Sequence, residues 1–267
     1  MSTAQTEPFR FFDLTVLRTE RLGPSLVRVV FTGDELDAFA SGGYDQSLSV
    51  FLPHPGQEAP VVPRGADWFE EFRAMDPRVR AVCRSYTVRA QRPGEVDIDF
   101  VLHASAAGPA ATWAAQASPG DRIAVIGPAV ADNAGVRFRR PEEAAWVLIA
   151  ADETALPAAA GILERLPAGL SARVWLRVPE EADRLELRTA AKAEITWLDS
   201  GLEEAIASAE LPQGEPYVWI AGESAMVRTV RRHLVGERGI DRRAVTFTGY
   251  WRRGATEDQY RLEGDGE

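Results

Sequence analysis

One short segment of the sequence combines cations, an aromatic ring and hydroxyl groups at the spacing of a strand. It reads Arg84-Ser85-Tyr86-Thr87-Val88-Arg89. Because alternate residues of a strand share a face, Arg84 and Tyr86 are expected on one face and Ser85 and Thr87 on the other. A flavin needs a cation for its phosphates, a flat apolar surface for its ring and a hydrogen-bond donor near its redox nitrogen. This segment can supply all three, but an ordinary barrel strand with surface arginines explains it equally well.

A second candidate site follows the strand that ends near Val101. Its residues form a strand end, a loop of small residues and a helix start with a proline, which together suit an anion such as a diphosphate. The candidates are Val101, Leu102, His103, Ala110, Ala111 and Thr112. A hydrogen-bonded histidine at a strand end is the structural alternative for His103.

The second half of the chain offers candidates where its predicted parallel strands end. Ligands of parallel sheets lie at these carboxyl ends, against helix N-termini. Asp152 and Thr154 can cap a helix whose free N–H groups suit a pyrophosphate, although no GxGxxG pattern is present. Gly222 lets the backbone or a ligand approach closely, and Glu223 follows it. A capped helix and a tight turn explain the same residues without any ligand.

The final predicted strand is followed by aromatic and basic residues. Trp251 can stack on a planar ring, and Arg252 and Arg253 can attract an anionic ligand. A packed tryptophan beside surface arginines is the alternative.

Composition narrows the classes of function. The net charge of −10 argues against a general nucleic-acid binder, and one cysteine, Cys83, excludes an internal disulfide. The three histidines lie far apart in the sequence, so we expect no protein-bound metal. No apolar run approaches the length of a membrane span, and the first residues do not resemble a signal peptide, so we expect a cytoplasmic protein that does not bind membranes.

The elements that must position these residues differ between the two halves. Six short strands rich in β-branched and aromatic residues predict an antiparallel barrel. They are 10–17, 25–31, 47–52, 84–90, 95–103 and 122–126, with helices near 68–73 and at 109–116. In the second half, strands alternate with helices and predict a doubly wound parallel sheet of about five strands. We place the barrel domain at 1–135 and the α/β domain at 136–267.

The order of these motifs resembles the siderophore-interacting protein family of flavin-dependent ferric-siderophore reductases. The resemblance spans roughly residues 9–254 and rests on RSYTVR, DFVLH, GPAATWA, PGDRIAVIGP, ADETALPA, YVWIAGE and GYWRRG. It implies a barrel that binds FAD, joined to a domain that binds NADPH or NADH. It also implies electron transfer through FAD to a ferric siderophore, with release of ferrous iron.

The resemblance also implies roles for the candidate residues. Arg84 is expected to hold the FAD phosphates, Tyr86 to lie against the isoalloxazine and Thr87 to hydrogen-bond near N5, which makes Tyr86 and Thr87 the predicted catalytic residues. The other predicted cofactor-binding residues are Ser85, Val101, Leu102, His103, Ala110, Ala111, Thr112, Asp152, Thr154, Gly222, Glu223 and Trp251. Arg252 and Arg253 are the predicted substrate-binding residues.

One departure from the family pattern concerns the substrate. Ser49 stands where many members carry a lysine that helps to bind an anionic siderophore. Losing this cation weakens the case for a strongly anionic catecholate, although Arg252, Arg253 and residues 137–140 can compensate.

Several alternatives stay open. A ferredoxin can replace the nicotinamide as donor, and a general flavin or ferric reductase, an electron-transfer reductase and a non-catalytic flavin-containing siderophore-binding protein are rival functions. The acids of 180–183 suit the ribose diol of NADH, whereas Arg177 or Arg184 suits the 2′-phosphate of NADPH. A solvated charged loop explains these residues too. We expect a monomer.

Overall fold

A computed structural model describes residues 7–102 and 108–255. The boundary between its two compact units lies between residues 136 and 137. The first unit is built around one antiparallel sheet of seven strands in the order β4-β3-β7-β1-β2-β6-β5. Its elements are β1 (Phe9–Gly23), β2 (Leu26–Thr32), β3 (Ser47–Leu52), α1 (Trp68–Ala74), β4 (Val82–Thr87), β5 (Ala90–Arg92), β6 (Glu95–Val101), α2 (Pro109–Gln116) and β7 (Arg122–Pro128). The predicted antiparallel architecture is confirmed, with the sheet curled into a half-barrel.

The strand count differs from the prediction of six because segment 84–90 changes partners. β4 pairs with β3, whereas β5 pairs with β6. Between them, the N–H of Val88 donates to the carbonyl of Gln46, and the N–H of Arg89 donates to the carbonyl of Asp97. The segment that the sequence predicted as one strand therefore forms two short strands. These pair with different neighbouring strands and are joined by Val88 and Arg89.

The core of the first unit follows from the alternation of its strands. On β6, Val96, Ile98 and Phe100 are fully buried in the apolar core. Burying side chains of this size stabilises the fold by about 1.5–3 kcal/mol each. The helix α2 lies on the same side of the sheet, where Trp113 stacks on Phe31 with ring centroids 6.3 Å apart.

The other face of β6 carries a row of acids paired with arginines, which we call the charge ladder (Glu95, Asp97 and Asp99 with Arg18, Arg28, Arg89 and Arg92). Arg28 binds Asp99 through two hydrogen bonds of 2.7 and 2.9 Å. Arg92 binds both Asp97 and Glu95, and two arginines hold the pKa of Glu95 near 2. Arg89, which had no predicted role, lies 3.9 Å from Asp99.

The second unit is a parallel sheet of five strands in the order β10-β9-β8-β11-β12, as expected. Its elements are β8 (Trp146–Ala151), α3 (Leu156–Leu163), β9 (Ser171–Arg177), β10 (Lys192–Leu198), α4 (Leu202–Ser208), β11 (Pro216–Glu223), α5 (Ser224–Arg232) and β12 (Val245–Trp251). All residues of β8 and β11 are buried, as expected for central strands covered on both faces. The chain reverses its winding between these two strands, so their carboxyl ends form the topological switch point.

Replacing Asp99 with alanine tests the charge ladder. The Asp99 side chain is 1% exposed and that of Arg28 is 20% exposed, so Asp99→Ala leaves a largely buried cation without its main partner. We expect a loss of about 3 kcal/mol in the free energy of unfolding, measured by urea denaturation. Glu35→Ala is the control, because the Arg10–Glu35 pair is solvent-exposed and its loss costs under about 1 kcal/mol. A loss of unfolding free energy in Asp99→Ala that is no larger than the loss in Glu35→Ala would contradict the expected contribution of the charge ladder.

Candidate functional site

The predicted flavin residues lie on β4 and at the start of α2. Val82 and Tyr86 pack against the apolar core, and the ring centroids of Tyr86 and Phe100 lie 4.4 Å apart. Because alternate residues of a strand share a face, Arg84 belongs to the same face as Tyr86. The helix α2 also packs on this face, against β2, β4 and β6. A cation, a ring and a helix start therefore share one side of the sheet.

The start of α2 is suited to an anion. Gly108 precedes the helix in an extended conformation, Pro109 occupies its first turn, and no described side chain caps it. The first N–H groups of such a helix need an acceptor from elsewhere, and a phosphate is a good one. Ala110 and Ala111 are buried here, while Thr112 is exposed. Val101 and Leu102 are half-buried; His103 lies outside the described residues.

Small hydroxyl residues line the opposite face of β3 and β4. In the register of the two strands, Ser47 lies opposite Thr87 and Ser49 lies opposite Ser85. Ser49, where many family members carry a lysine, thus adds to this polar surface and contributes no charge. Thr87 is 7% exposed, and no described residue forms a hydrogen bond with its hydroxyl. A buried hydroxyl of this kind fits a ligand acceptor at the end of β4.

These residues fit FAD. Arg84 and the start of α2 could hold the phosphates, Tyr86 could offer an aromatic surface and Thr87 could offer a hydroxyl. Tyr86 and Thr87 point to opposite faces, so a ligand that contacts both must lie at the end of β4 instead of flat on one face.

In the second unit, the carboxyl edge of the parallel sheet is organised around Asp152, which is 1% exposed. Its Oδ1 accepts hydrogen bonds from the backbone N–H and the hydroxyl of Thr154, at 3.0 and 2.5 Å. Its Oδ2 accepts from the N–H of Glu223 at 2.7 Å and from the indole N–H of Trp251 at 2.9 Å. Arg177 adds an ion pair at 3.6 Å. Asp152 therefore ties together the ends of β8, β9, β11 and β12.

Gly222 is required by this arrangement. Its φ is +138°, and a Cβ at this position would lie 2.5 Å from the carboxyl carbon of Asp152. Only glycine combines this backbone conformation with such a close approach. The sequence indicated a close approach of backbone or ligand, and within the second unit the structure gives the side chain of Asp152 as the neighbour.

The two helix starts at this edge differ, because the start of α5 is capped and the start of α3 has no side-chain cap. Glu223 caps α5, accepting hydrogen bonds from the N–H groups of Ala225 and Met226 at 2.6 and 2.9 Å. Ala155 and Leu156, at the start of α3, are buried. The direct contact of Asp152, Thr154, Gly222 and Glu223 with a cofactor stays a prediction.

The segment after β12 is attached to the same edge. The hydroxyl of Ser224 donates to the carbonyl of Trp251, and the backbone N–H of Arg253 donates to Glu223 at 3.3 Å. Arg252 is half-buried and the side chain of Arg253 is exposed. Stacking by Trp251 and substrate binding by the two arginines stay predictions.

Two features of this edge escaped sequence reasoning. The sequence pattern indicated a solvated charged loop at 177–184 that includes Arg177 and Asp183. In the structure Asp183 is fully buried and the Arg177 side chain is 18% exposed. Glu153 is 8% exposed, and burial, followed by the charge of Asp152, raises its pKa to about 7. The sequence signal that could have revealed these buried charges is the pair of acids at 152 and 153, which directly follows the continuous apolar strand β8.

Among the described residues, no group of three or more His, Cys, Asp or Glu side chains is arranged to hold a metal ion. The described helices also include none that is long and apolar enough to cross a membrane.

Comparison with known proteins gives matches along nearly the whole chain. The family described as siderophore-interacting FAD-binding domain matches residues 15–132, and the one described as siderophore-interacting protein matches residues 144–254. The chain is 31% identical to the NADPH-dependent ferric-chelate reductase of Escherichia coli, over 91% of this chain and 93% of that protein. It is 30% identical to the ferric vibriobactin reductase ViuB of Vibrio cholerae, over 94% and 92%.

The same relationship holds in three dimensions. The crystal structure of the siderophore-interacting protein SipS from Aeromonas hydrophila matches with a TM-score of 0.79 and 32% identity, over 96% of each chain.

The buried Glu153 predicts a dependence of stability on pH. Its pKa is about 7 in the folded protein against 4.5 in the unfolded chain, so the folded state is favoured while Glu153 is protonated. Stability from this group is complete below about pH 4.5 and is lost as the pH rises through 7. Glu153→Gln should therefore raise the melting temperature at pH 8 by about 2–6 °C, and much less at pH 5. The exposed Glu180→Gln is the control, and the same response from both variants would contradict the assignment.

Proposed function

The chain belongs to the siderophore-interacting protein family, and we propose that it uses FAD to reduce ferric siderophores with electrons from NADPH or NADH, releasing ferrous iron in the cytoplasm. The observation that carries the proposal is that Arg84, Tyr86 and the start of α2, which no described side chain caps, lie on one side of the curled sheet. This placement occurs in a chain that matches two ferric reductases over more than nine-tenths of its length.

The first unit holds the flavin in this proposal. Arg84 and the N–H groups at the start of α2 bind its phosphates, because a guanidinium and an open helix start both favour anions. Tyr86 supports the ring, and its own packing against Phe100 keeps it in place. Thr87 brings its hydroxyl, which has no partner among the described residues, to the polar edge of the ring.

FAD bound by these residues would supply the redox chemistry that links a two-electron donor to single-electron reduction of ferric iron. The iron arrives within its own chelator, so the chain has to supply no metal ligands. Chelators of this kind bind ferrous iron far more weakly, so reduction releases the metal. The task of the protein is to position the flavin and to bring donor and chelate to it.

The second unit binds the donor at the carboxyl edge of its parallel sheet. Here Asp152 fixes the ends of four strands and orients the indole of Trp251 through a hydrogen bond. Because this carboxylate is buried, its proposed role is to hold the edge in shape for the nicotinamide. Arg252 and Arg253 follow directly and provide positive charge for an anionic chelate. We propose that the protein works as a monomer.

Substitution of Arg84 tests the flavin site. Loss of a charge-assisted contact with phosphate should weaken FAD binding roughly 10- to 100-fold in Arg84→Ala. The dissociation constant can be measured by titrating the apoprotein and following flavin fluorescence. Arg78→Ala is the matched control, because Arg78 is exposed and pairs locally with Asp76. Unchanged FAD affinity in Arg84→Ala would remove Arg84 from the site.

The activity itself is tested by steady-state reduction of several ferric siderophores with NADPH or NADH, using a ferrous-specific chelator as the reporter. We expect a flavin-containing protein whose colour is bleached by one or both nicotinamides and restored by ferric chelate. A preparation that is bleached but does not reduce ferric chelates would favour a general flavin reductase. A protein that binds no flavin would contradict the proposal.

A further inference from the structure

A group of arginines lies on the exposed side of α5 and beside β12, the edge strand of the parallel sheet. Arg228 precedes Arg231 and Arg232 by one helical turn, so the three side chains belong to one side of α5. The guanidinium carbon of Arg231 lies 4.2 Å from the ring centroid of Phe247 on β12. Two more arginines stand in the short 3₁₀ turn directly before β12. We call this group the arginine surface (Arg228, Arg231, Arg232, Arg242 and Arg243, with Phe247).

The positive charge of the arginine surface is not compensated within the described chain. Unlike the arginines of the charge ladder, its arginine side chains form no hydrogen bond or ion pair with a described residue. The Nε atom of Arg231 is buried and also lacks such a partner among the described residues. The acids between α5 and β12 are engaged locally, because Glu237 binds His233 at 2.8 Å and Asp241 accepts from the backbone N–H of Arg243 at 2.9 Å. The surface therefore favours an anionic partner.

Phe247 gives the same surface an apolar member. It is 43% exposed, although it is a large hydrophobic residue within a strand. Arg231 covers one face of its ring, and this cation–π contact holds both groups in place. An exposed ring among cations can enter the boundary between lipid headgroups and acyl chains while the arginines contact the phosphates.

A lipid surface fits this combination better than a nucleic acid does. Nucleic acids bind arginines through their phosphates, but unpaired bases need open aromatic faces on which to stack. One face of Phe247 is already covered by Arg231. The net charge of the chain is −10, so an anionic membrane repels the protein as a whole. The arginine surface then sets the orientation in which the protein can approach.

We propose that the arginine surface binds the headgroups of anionic phospholipids, with Phe247 entering the boundary between the headgroups and the acyl chains. Composition predicted no membrane binding, because the overall negative charge conceals a local basic surface. The members of this surface come from two separate segments, 228–232 and 242–247, which only the fold brings together. The inference does not depend on the proposed flavin and donor sites, since none of these residues is assigned to either.

The experiment is co-flotation of the purified full chain, with FAD added, on unilamellar vesicles. One set of vesicles is phosphatidylcholine, and the other is an equal mixture of phosphatidylcholine and phosphatidylglycerol. The wild-type protein is compared with Arg228→Gln/Arg232→Gln, which removes two exposed charges from the arginine surface, and with Phe247→Ala. Arg122→Gln/Arg188→Gln is the matched control. Arg122 and Arg188 are exposed, lie elsewhere in the chain and also form no side-chain ion pair with a described residue.

We expect the wild-type protein and the matched control to bind the anionic vesicles and not the phosphatidylcholine vesicles. The partition coefficient of Arg228→Gln/Arg232→Gln should fall roughly 10- to 30-fold, because each basic residue near an anionic surface contributes about a fivefold factor. Phe247→Ala should weaken binding roughly three- to tenfold, and added salt should weaken binding of the wild-type protein by screening. Melting curves check that each variant is folded. If Phe247→Ala does not fold, the exchange of the two exposed arginines still tests the surface.

Three results would overturn the inference. Failure of the wild-type protein to prefer anionic vesicles would remove the lipid partner. Equal losses in the two double variants would show that the overall charge of the chain, and not the arginine surface, controls binding. Tighter binding to a DNA or RNA oligonucleotide than to the vesicles, lost in Arg228→Gln/Arg232→Gln, would assign the surface to a nucleic acid instead.

Discussion

A buried carboxylate has to be surrounded by donors, and in the second unit this requirement organises the whole carboxyl edge of the sheet. Asp152 receives its hydrogen bonds from residues at or just after the ends of three strands, and its ion pair from the last residue of a fourth. Because each donor comes from a different part of the chain, satisfying one charge fixes the relative positions of all four strand ends. Glu153 follows Asp152 directly and accepts none of these hydrogen bonds, and its burial beside Asp152 raises its pKa.

The first unit positions its candidate residues with an antiparallel sheet instead of a parallel one. Alternate residues of β3 and β4 point to opposite faces of the sheet. Hydroxyl groups therefore lie on one face, and Arg84 and Tyr86 lie on the other. The helix α2 adds, on the core side, a helix start that no described side chain caps. The charge ladder on β6 stabilises the same sheet from its outer surface, so the alternation of one strand serves both the core and the ion pairs.

Local patterns predicted most of the architecture. The β-branched and aromatic composition of the first half and the alternation of strands with helices in the second half predicted the two sheet types, and the order of motifs predicted the family with its FAD-binding domain. What failed depended on distant partners: 84–90 splits because its two ends pair with different strands, and Asp152 meets Trp251 across 99 positions of sequence. Burial of Arg177 and Asp183 was hidden for the same reason, because a charged residue looks solvated until its neighbours are known.

The two-residue link at Val88 and Arg89 has a further consequence. It joins the outermost strands of the seven-stranded sheet, β4 and β5, so the two edges of the sheet are consecutive in the chain. β4 also approaches β6, beyond the very short β5, as the sheet curls. Unpaired strand edges are templates on which other chains add strands. Because its two edges turn toward each other, the first unit offers less unpaired edge for edge-to-edge aggregation.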